Sequence, residues 1–272
     1  MTQLLAPATE EATLRAVVEA LAPIERRAGS PGEREAAEWI AQRLQDVAGN
    51  ARVEEEQFLD GYAPLMAKLS AIGVAAGLAG LASRRLRVPA AAAGIAAAAA
   101  IADDASNGPR VARKATQQPK PTWNVVAEAG DLNAQRTLVV CAHHDAAPTG
   151  KFFEQPAQRV LGEMFPGVLE RIDTSLPNWW PSIAAPGLAG VGALRRSRPM
   201  MATGAALSAL GTAIFADIAR SPIVPGANDN LTAVALLVAL AERLNERPLE
   251  NVRVLLVSLG AEEVLQGGIY GF

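Results

Sequence analysis

Residues 252–263 read Val252-Arg253-Val254-Leu255-Leu256-Val257-Ser258-Leu259-Gly260-Ala261-Glu262-Glu263. The first eight residues of this stretch predict a continuous apolar strand. A glycine, an alanine and two adjacent carboxylates, Glu262 and Glu263, follow the strand directly. Because open α/β sheets bind their ligands beyond the carboxyl ends of the strands, the stretch predicts an α/β fold with a functional site at this point.

The two carboxylates after this strand cannot perform the same task. Neighbouring side chains in extended backbone diverge, so one carboxylate can bind a metal ion while the other removes a proton from a water molecule. A solvated acidic loop is the alternative interpretation of Glu262 and Glu263.

A second strand with a polar turn lies at residues 137–145. Residues 137–142 predict a fully buried strand, and His143, His144 and Asp145 follow it. Asp145 lies two positions after His143 and can accept a hydrogen bond from a ring nitrogen, which would fix the tautomer of a metal-bound imidazole. A His-His-Asp turn on the surface is the alternative.

The third polar segment, Gly226-Ala227-Asn228-Asp229-Asn230, precedes a predicted helix over residues 231–244. Asp229 could cap that helix by accepting hydrogen bonds from its free backbone N–H groups. Its carboxylate could instead bind a metal ion or bridge two of them. The two histidines of the chain, His143 and His144, are adjacent, so any metal site must rely on carboxylates.

The composition excludes several classes of protein. A formal net charge of −3 over 272 residues argues against nucleic acid as the main partner. The single cysteine, Cys141, excludes a disulfide scaffold and a cysteine-based zinc finger, and we expect it to be a buried, inert thiol. The mean hydropathy of +0.15 is high for a soluble enzyme, so a membrane segment must be considered.

The apolar residues are concentrated in two segments, 65–102 and 181–216. Each predicts a helical hairpin with an arginine-rich tip, at residues 84–87 and 195–198. Each predicted limb has roughly 14–18 residues, fewer than the ~20 that cross a bilayer. The basic tips and the pair Trp179-Trp180 nevertheless favour contact with a membrane. The alternative is a pair of soluble hairpins that pack together.

The two interpretations of the hairpins predict different locations. If the hairpins insert, the positive-inside rule places the arginine tips in the cytoplasm and the catalytic domain on the outer face of the membrane. If they do not insert, the protein is cytoplasmic.

Ordinary α/β patterns surround the hairpins. Further predicted elements are helices over residues 13–22 and 33–47, strands over residues 53–58 and 124–128, and a polar linker over residues 103–122. The chain therefore predicts a catalytic domain that is interrupted twice. Its three parts are residues 1–62, 110–150 and 226–272, and the insertions are residues 63–109 and 151–225.

Together the three polar segments resemble the co-catalytic zinc exopeptidases of metallopeptidase family twenty-eight, which include leucyl aminopeptidases, glutamate carboxypeptidase-like enzymes and glutaminyl cyclases. The family pattern is His-x-Asp after a strand, Gly-Ala-x-Asp-Asn before a helix and Gly-Ala-Glu-Glu after a strand. The chain matches this pattern at His143 and Asp145, at Gly226, Ala227, Asp229 and Asn230, and at Gly260, Ala261, Glu262 and Glu263. The resemblance does not cover the hairpins.

The resemblance implies a three-layer, doubly wound mixed sheet with a zinc centre. In that centre His143, Asp229 and Glu263 bind one zinc ion, Glu262 is the general base for the attacking water, and Asp145 holds His143 in place.

The family also has a second zinc ion, whose remaining ligands are an Asp and a His that follow the Glu-Glu pair. The chain contains neither between Glu263 and Phe272. We therefore expect a C-terminally incomplete member with one well-formed zinc site and little or no activity of its own.

The function implied by the resemblance is zinc-dependent hydrolysis of peptide bonds at a chain end, as in an aminopeptidase, with a peptide or peptide-like substrate. Glutaminyl cyclase-like acyl transfer on an N-terminal Gln is an alternative within the family. A non-catalytic receptor or scaffold, tethered to a membrane by the hairpins, is an alternative of another class. We expect no nucleic acid partner, and the oligomeric state stays open.

Overall fold

The computed structural model describes residues 8–154, 156–169 and 176–272. Residues 155 and 170–175 of the predicted insertion 151–225 lie outside this range. The chain divides into two compact units. The first comprises Met1–Asp60, Gln118–Pro148 and Ile223–Phe272, and the second comprises Gly61–Gln117 and Thr149–Pro222.

The helices and strands are numbered in chain order. The helices are α1 (Ala8–Leu21), α2 (Pro31–Ala48), α3 (Tyr62–Ala82), α4 (Arg87–Ala105), α5 (Val111–Thr116), α6 (Pro156–Met164), α7 (Pro166–Leu169), α8 (Leu176–Leu194), α9 (Arg198–Arg220) and α10 (Thr232–Glu246). The strands are β1 (Arg52–Leu59), β2 (Pro119–Gly130), β3 (Thr137–His143) and β4 (Arg253–Leu259).

The first unit is built on one mixed sheet with the strand order β1-β2-β4-β3. Strand β2 is antiparallel to β1 and β4, whereas β3 and β4 are parallel, with His143 opposite Leu259. Because the carboxyl ends of parallel strands meet at the same edge, the polar residues after β3 and β4 are brought together. The predicted α/β class with a mixed sheet is confirmed.

Helices α2 and α10 pack against one face of this sheet, α1 packs against α10, and together they form the main core. Its buried residues include Val17, Leu21, Ile40, Leu44, Val125, Ala127, Val234, Val238 and Leu256. The opposite face carries a smaller cluster of Val126, Val257 and Leu259. Burial on both faces explains why residues 254–257 of β4 are apolar in succession rather than alternating.

The local sequence explains where α2 begins and ends. The Ser30 hydroxyl accepts a hydrogen bond from the Glu33 backbone N–H at 3.2 Å, and Pro31 occupies the first turn, where its missing N–H is not needed. Gly49 ends the helix at φ +78°, a conformation that favours glycine. The cap fixes the first turn of α2, which carries Glu33.

Strand β3 corrects two expectations. We predicted a fully buried strand, but Leu138 and Val139 are 49% and 44% exposed. We also predicted a buried thiol, but Cys141 is exposed. Among the described strands β3 pairs with β4 alone, so it lies at the edge of the sheet and lacks a neighbour on one side.

The second unit contains a bundle of four long helices. Helices α3 and α4 form one hairpin, and α8 and α9 form the other, with short turns between the limbs. Helix α3 contacts the other three, and α8 also contacts α4 and α9. The two predicted apolar helical hairpins are confirmed.

Glycine residues set the spacing between these helices. A Cβ atom added to Gly204 in α9 would lie 2.3 Å from the backbone nitrogen of Ala189 in α8. A Cβ atom added to Gly94 in α4 would lie 2.8 Å from the backbone nitrogen of Gly190, also in α8. The helix backbones therefore touch directly, as they do in helix pairs that associate through small residues.

Residues 103–122 are not the linker that we predicted. Residues Val111–Thr116 form α5, and β2 begins at Pro119. The Arg113 guanidinium donates two hydrogen bonds to the Asp104 carboxylate, at 2.8 Å from Nε and 2.6 Å from Nη2. Both side chains are buried, so the ion pair attaches α5 to the end of α4. Polar composition at this point reflects a buried pair as well as solvent exposure.

Three described helical segments are long and apolar enough to cross a membrane. They are α3, the segment Arg84–Ala105 that contains α4, and α9, with 21, 22 and 23 residues. All three are longer than the limbs predicted from the sequence. Between 28% and 44% of each apolar window is buried, so much of the apolar surface of these helices faces outward.

Candidate metal centre

Three turns of the first unit meet beyond the carboxyl ends of β3 and β4. We call them the His turn (residues 143–145), the Asp turn (residues 226–230) and the Glu turn (residues 260–263). The backbone N–H of His144 donates to the Leu259 carbonyl oxygen at 2.9 Å, which extends the β3–β4 pairing into the turns. The three polar segments recognised in the sequence are therefore neighbours in the fold.

The group formed by His143, Asp229 and Glu263 could hold a metal ion. One ligand atom from each residue lies within 4.8 Å of the other two. His143 Nε2 lies 3.2 Å from Asp229 Oδ1. The His143 side chain is 9% exposed and the Asp229 side chain is 78% exposed, so the group opens to solvent on the Asp229 side. The fold brings together the three residues that the family resemblance implied as zinc ligands.

Glu262 lies beside this group. Its Oε2 atom is 3.8 Å from His143 Nε2. Burial raises the pKa of the Glu262 carboxyl above its usual range, an effect that His143 opposes and the Asp145 carboxylate supports. A carboxylate with a raised pKa is a better proton acceptor near neutral pH.

Asp145 is fully buried and has two sets of partners. Its Oδ1 atom lies 3.4 Å from His143 Nδ1. The two carboxylate oxygens also accept hydrogen bonds from the backbone N–H groups of Glu262 and Glu263, each at 3.0 Å. The sequence predicted only the contact with His143. The structure adds that the same carboxylate holds the Glu turn.

The carboxylates of the centre change the protonation of its ligands. Burial of the His143 ring opposes its protonation, but Asp145, Glu262 and Glu263 outweigh burial and raise the pKa of His143 to about 9. Burial, strengthened by Asp145, raises the pKa of Glu263 to about 7. Without a metal ion, a proton on His143 therefore offsets part of the negative charge of the centre.

The sequence analysis missed Arg26, whose side chain is fully buried. Its Nε donates to the His144 carbonyl oxygen at 2.8 Å, and its Nη2 donates to the Pro225 carbonyl oxygen at 2.7 Å. Nη1 donates to the carbonyl oxygens of Leu21 and Ile24 at the end of α1. Arg26 thereby connects the His turn, the start of the Asp turn and the end of α1.

Glu33, which is fully buried in the first turn of α2, was not predicted from the sequence either. Its Oε1 accepts hydrogen bonds from the Ala261 backbone N–H at 2.7 Å and from the Thr122 hydroxyl at 2.9 Å. Its Oε2 accepts one from the Gly29 backbone N–H at 2.7 Å. Burial and the nearby Asp145 raise the pKa of Glu33 to about 8, although these three hydrogen bonds favour the ionised form.

Two glycines of the motifs make room for these buried charges. Gly226 begins the Asp turn at φ +59°, and a Cβ atom there would lie 2.9 Å from Arg26 Nη2. A Cβ atom on Gly260 would lie 2.5 Å from Glu33 Oε1. A glycine is therefore required at both positions for Arg26 and Glu33 to reach the backbone.

Little in the sequence marks Arg26 and Glu33 as buried. A glutamate in the first turn of a helix is ordinary, because it interacts favourably with the positive end of the helix dipole. No pattern separates Arg26 from its charged neighbours Glu25 and Arg27. The available signal was the tight turn Gly29-Ser30-Pro31-Gly32 between the two residues.

His144 lies outside the metal-binding group. Its ring is fully buried, and its Nδ1 atom is 2.9 Å from the Ser258 hydroxyl. Burial lowers the pKa of His144 to about 4, so the ring is neutral at physiological pH. The neutral ring is fixed against β4 rather than directed at the ligands.

A recess of about 260 Å³ opens beside His143 and Glu262. Its walls include the apolar residues Leu259 and Ile269 and the amide side chain of Asn230. His143 and Glu262 can therefore be reached from solvent through this recess.

No family model and no curated protein matches the sequence. Similar solved structures include a glutaminyl cyclase from Bacteroides thetaiotaomicron, with a TM-score of 0.45, 9% identity and coverage of 95% of this chain and 49% of that chain. They also include an aminopeptidase from Aneurinibacillus sp. strain AM-1, with a TM-score of 0.43, 12% identity and coverage of 96% and 64%. A zinc aminopeptidase from Bacillus subtilis has a TM-score of 0.42, 12% identity and coverage of 97% and 64%.

The chain thus spans about half the length of the glutaminyl cyclase and 64% of the length of each aminopeptidase. These likenesses are low, and the chemistry of the centre rests on its own donor atoms. One imidazole and two carboxylates fit the ligand set of a catalytic zinc ion, which leaves a position for water. Asp145 beside the remaining ring nitrogen of His143 is the usual arrangement for a metal-binding histidine.

Proposed function

We propose that the protein is a zinc-dependent hydrolase that cleaves peptide bonds at a chain end. The observation that carries the proposal is the meeting of His143, Asp229 and Glu263, whose ligand atoms lie within 4.8 Å of one another. This set would hold one zinc ion per chain. Glu262 lies 3.8 Å from His143 Nε2, and in this proposal it acts on a water molecule at that ion rather than binding the ion.

Glu262 and Asp145 have different roles in the proposed reaction. Glu262 accepts the proton of the attacking water and holds it for transfer to the leaving amine. Asp145 orients the His143 ring and fixes the backbone that carries Glu262 and Glu263. A bound zinc ion would polarise the substrate carbonyl and lower the pKa of a bound water.

The proposal is tested by zinc stoichiometry together with hydrolysis. The metal-free 272-residue chain is titrated with Zn²⁺ and assayed at high protein concentration on peptides that are free or blocked at either end. We expect one tightly bound ion and slow release of a terminal residue. Glu262→Gln should keep the ion and lose turnover, whereas His143→Ala should lose the ion.

The matched control is Asp46→Asn, which changes an exposed carboxylate near the end of α2. It should alter neither zinc binding nor the release of terminal residues. Zinc binding that survives both His143→Ala and Glu263→Ala would contradict the proposed centre. Tight zinc binding without turnover on any peptide would support the proposed centre and contradict hydrolysis by this chain.

Acyl transfer on an N-terminal Gln is the second candidate. The observation that favours it is that the described residues contain a single group of metal-binding side chains, which suits chemistry at one ion. Mass spectrometry of a peptide that begins with Gln would separate the two candidates. Cyclisation releases ammonia and keeps the chain length, whereas hydrolysis removes the first residue.

We also propose that the hairpins contact a membrane. The support comes from three helices of sufficient length and from large apolar side chains on their outer surfaces, including Leu78 at 56% and Leu210 at 58% exposure. Trp180 is 68% exposed, and exposed tryptophan is typical of the interface between lipid and water.

Vesicle flotation tests the membrane proposal. The full chain is mixed with vesicles of phosphatidylcholine and phosphatidylglycerol, and the floating fraction is measured. We expect Leu78→Asp and Leu210→Asp to reduce the floating fraction. Leu138→Asp, at an exposed apolar residue of the first unit, should not. Equal losses in all three variants would contradict the proposal.

A further inference from the structure

We propose that Arg26 and Glu33 are positioning residues that hold the three turns of the metal centre in place from the segment between α1 and α2. Arg26 holds the His turn and the start of the Asp turn, and Glu33 holds the Glu turn. This inference rests on the proposed metal centre for its functional meaning, but the contacts on which it depends are visible without a metal ion.

The Arg26 contacts reach the backbone next to metal-binding residues. The His144 carbonyl oxygen, which accepts from Nε, belongs to the residue after His143. The Pro225 carbonyl oxygen, which accepts from Nη2, precedes the glycine that opens the Asp turn. In return the Arg26 carbonyl oxygen accepts a hydrogen bond from the Ala146 backbone N–H at 2.8 Å. The planar guanidinium thus fixes the spacing of two turns at once.

All four backbone N–H groups of the Glu turn donate to side-chain acceptors, while the carbonyl oxygens of residues 260, 261 and 262 accept from the backbone N–H groups of residues 268, 267 and 266. The four N–H groups, at residues 260 to 263, donate in order to Asn124 Oδ1, Glu33 Oε1, Asp145 Oδ1 and Asp145 Oδ2. The distances are 3.1, 2.7, 3.0 and 3.0 Å. Glu33 makes the shortest of these bonds.

The Glu turn also needs external support because Ala261 has φ +50°. L-residues disfavour this left-handed conformation, so the turn is not the conformation that its own sequence prefers. The hydrogen bond from Ala261 to Glu33 opposes that preference at the strained residue. If the bond is lost, Ala261 is free to relax, and the backbone N–H groups of Glu262 and Glu263 keep only their bonds to Asp145.

A purely structural role would predict a different outcome. Removing a core side chain from α2 would then perturb the centre as much as changing Glu33. The test therefore compares Glu33→Gln and Arg26→Lys with Leu44→Ala, which empties part of the core on the same helix without touching the turns. Glu35→Gln, at an exposed position of α2, is the neutral control.

Two readouts are measured on the full chain. The first is Co²⁺ affinity with the visible absorption of the bound ion, which reports the geometry of its ligands. The second is backbone hydrogen exchange of a peptide covering residues 258–266 in the metal-free chain. We expect Glu33→Gln and Arg26→Lys to weaken Co²⁺ binding about tenfold and to alter its absorption. Glu33→Gln should also accelerate exchange in the Glu turn.

The control variant Leu44→Ala shows what a loss of stability alone would do. Leu44→Ala should lower the unfolding midpoint but leave the Co²⁺ absorption and the exchange of residues 258–266 unchanged. Unchanged affinity, absorption and exchange in folded Glu33→Gln and Arg26→Lys would overturn the inference. So would equal changes in Leu44→Ala.

A milder variant covers the case in which Glu33→Gln and Arg26→Lys do not fold. Thr122→Val removes one hydrogen bond to Glu33 and should accelerate exchange in the Glu turn to a smaller extent. No acceleration there would overturn the role of Glu33. A wild-type chain that binds no Co²⁺ or Zn²⁺ contradicts the proposed function, while the exchange readout still decides whether Glu33 holds the Glu turn.

Discussion

The first and second units differ in how backbone and buried polar groups are used. In the first unit, large aliphatic side chains such as Ile40 and Leu44 fill the core, and the buried polar side chains of Arg26, Glu33 and Asp145 bond to the backbone of turns. In the second unit, a cluster of large side chains is buried as well, but alanine and glycine also bring helix backbones into direct contact. The Asp104–Arg113 pair is buried there as well, but its charges neutralise each other at the end of a helix.

The difference concerns what a buried charge is used for. A buried charge that bonds to backbone fixes the shape of a loop, which a metal centre requires because its ligands must be held in place. A buried ion pair fixes the position of one helix relative to another. The bundle needs no shaped loops, so helix contacts and one such pair account for the order of its described core.

The largest effect is expected when this ion pair is broken. Arg113→Ala would leave the Asp104 carboxylate buried without its bidentate partner. We expect the free energy of unfolding of the second unit to fall by about 3–5 kcal/mol. Denaturant-dependent hydrogen exchange of peptides from α4 and α5 would measure the change.

Two variants control this prediction. Lys114→Ala, at the exposed neighbouring position, should change stability by less than about 0.5 kcal/mol. The double variant Asp104→Leu with Arg113→Met removes both charges and should be close to neutral, since apolar replacement of a buried pair often is. A small loss of unfolding free energy in Arg113→Ala would show that water reaches Asp104. It would contradict the view that a buried ion pair stabilises the second unit.

The second largest effect is the pH dependence of metal binding by the first unit. Since the pKa of His143 is raised to about 9, a metal ion must displace a proton from the ring at any lower pH. The affinity should therefore rise with pH, by about tenfold or 1.4 kcal/mol for each unit. The rise should be steeper below about pH 7, where Glu263 also carries a proton.

Calorimetric titration with Co²⁺ at several pH values between neutrality and the pKa of His143 would check this dependence. Proton release can be read in the same experiment from the heat in buffers of different ionisation enthalpy. A flat affinity over this range would mean that His143 is already neutral and that the carboxylates around it do not act as the structure indicates.

The third prediction uses the glycines of the second unit. Gly204→Ala would place a Cβ atom 2.3 Å from the backbone nitrogen of Ala189. The bundle must then separate at that point, at a cost of about 1–3 kcal/mol. Gly187→Ala is the matched control in α8, because its Cβ atom would lie 3.5 Å from the Ala98 Cβ atom, an ordinary contact.

The two glycine variants should change the free energy of unfolding in opposite directions. Alanine at position 187 should stabilise the helix by about 0.5–1 kcal/mol, because it restricts the unfolded chain more than glycine does. Thermal unfolding of the second unit, followed through α8 and α9 peptides, would show the difference. Destabilisation by both variants would indicate that the whole helix face, not the single contact, sets the spacing.

The sequence predicted some features of the first unit but not the contacts that hold its turns. In the first unit, strand length and apolar runs predicted the elements, and the resemblance to zinc exopeptidases implied that His143, Asp229 and Glu263 bind one zinc ion. Those patterns are local. The contacts of Arg26 and Glu33 with the turns link residues more than a hundred positions apart, such as Arg26 with His144, and no local pattern encodes them.

Two errors of the sequence analysis have the same origin. The apolar residues Leu138 and Val139 predicted a buried strand, but burial depends on whether a neighbouring strand is present, which the strand itself does not specify. The charges of Asp104 and Arg113 predicted a solvated linker, but two opposite charges that meet can be buried together. In both cases the missing information was the identity of a neighbour.

The smallest effect is expected at two serines that cap long helices, Ser30 in the first unit and Ser197 in the second. Ser30 accepts a hydrogen bond from the Glu33 backbone N–H at 3.2 Å, and Ser197 accepts one from the Met200 backbone N–H at 3.5 Å. Replacing either serine by alanine should lower the free energy of unfolding of its unit by about 1 kcal/mol, and by less at Ser197, where the bond is longer. If turns of the metal centre depend on the first turn of α2, Ser30→Ala should also weaken Co²⁺ binding slightly, whereas Ser197→Ala should not. Equal effects of both variants on Co²⁺ affinity would mean that the centre senses overall stability rather than the position of Glu33.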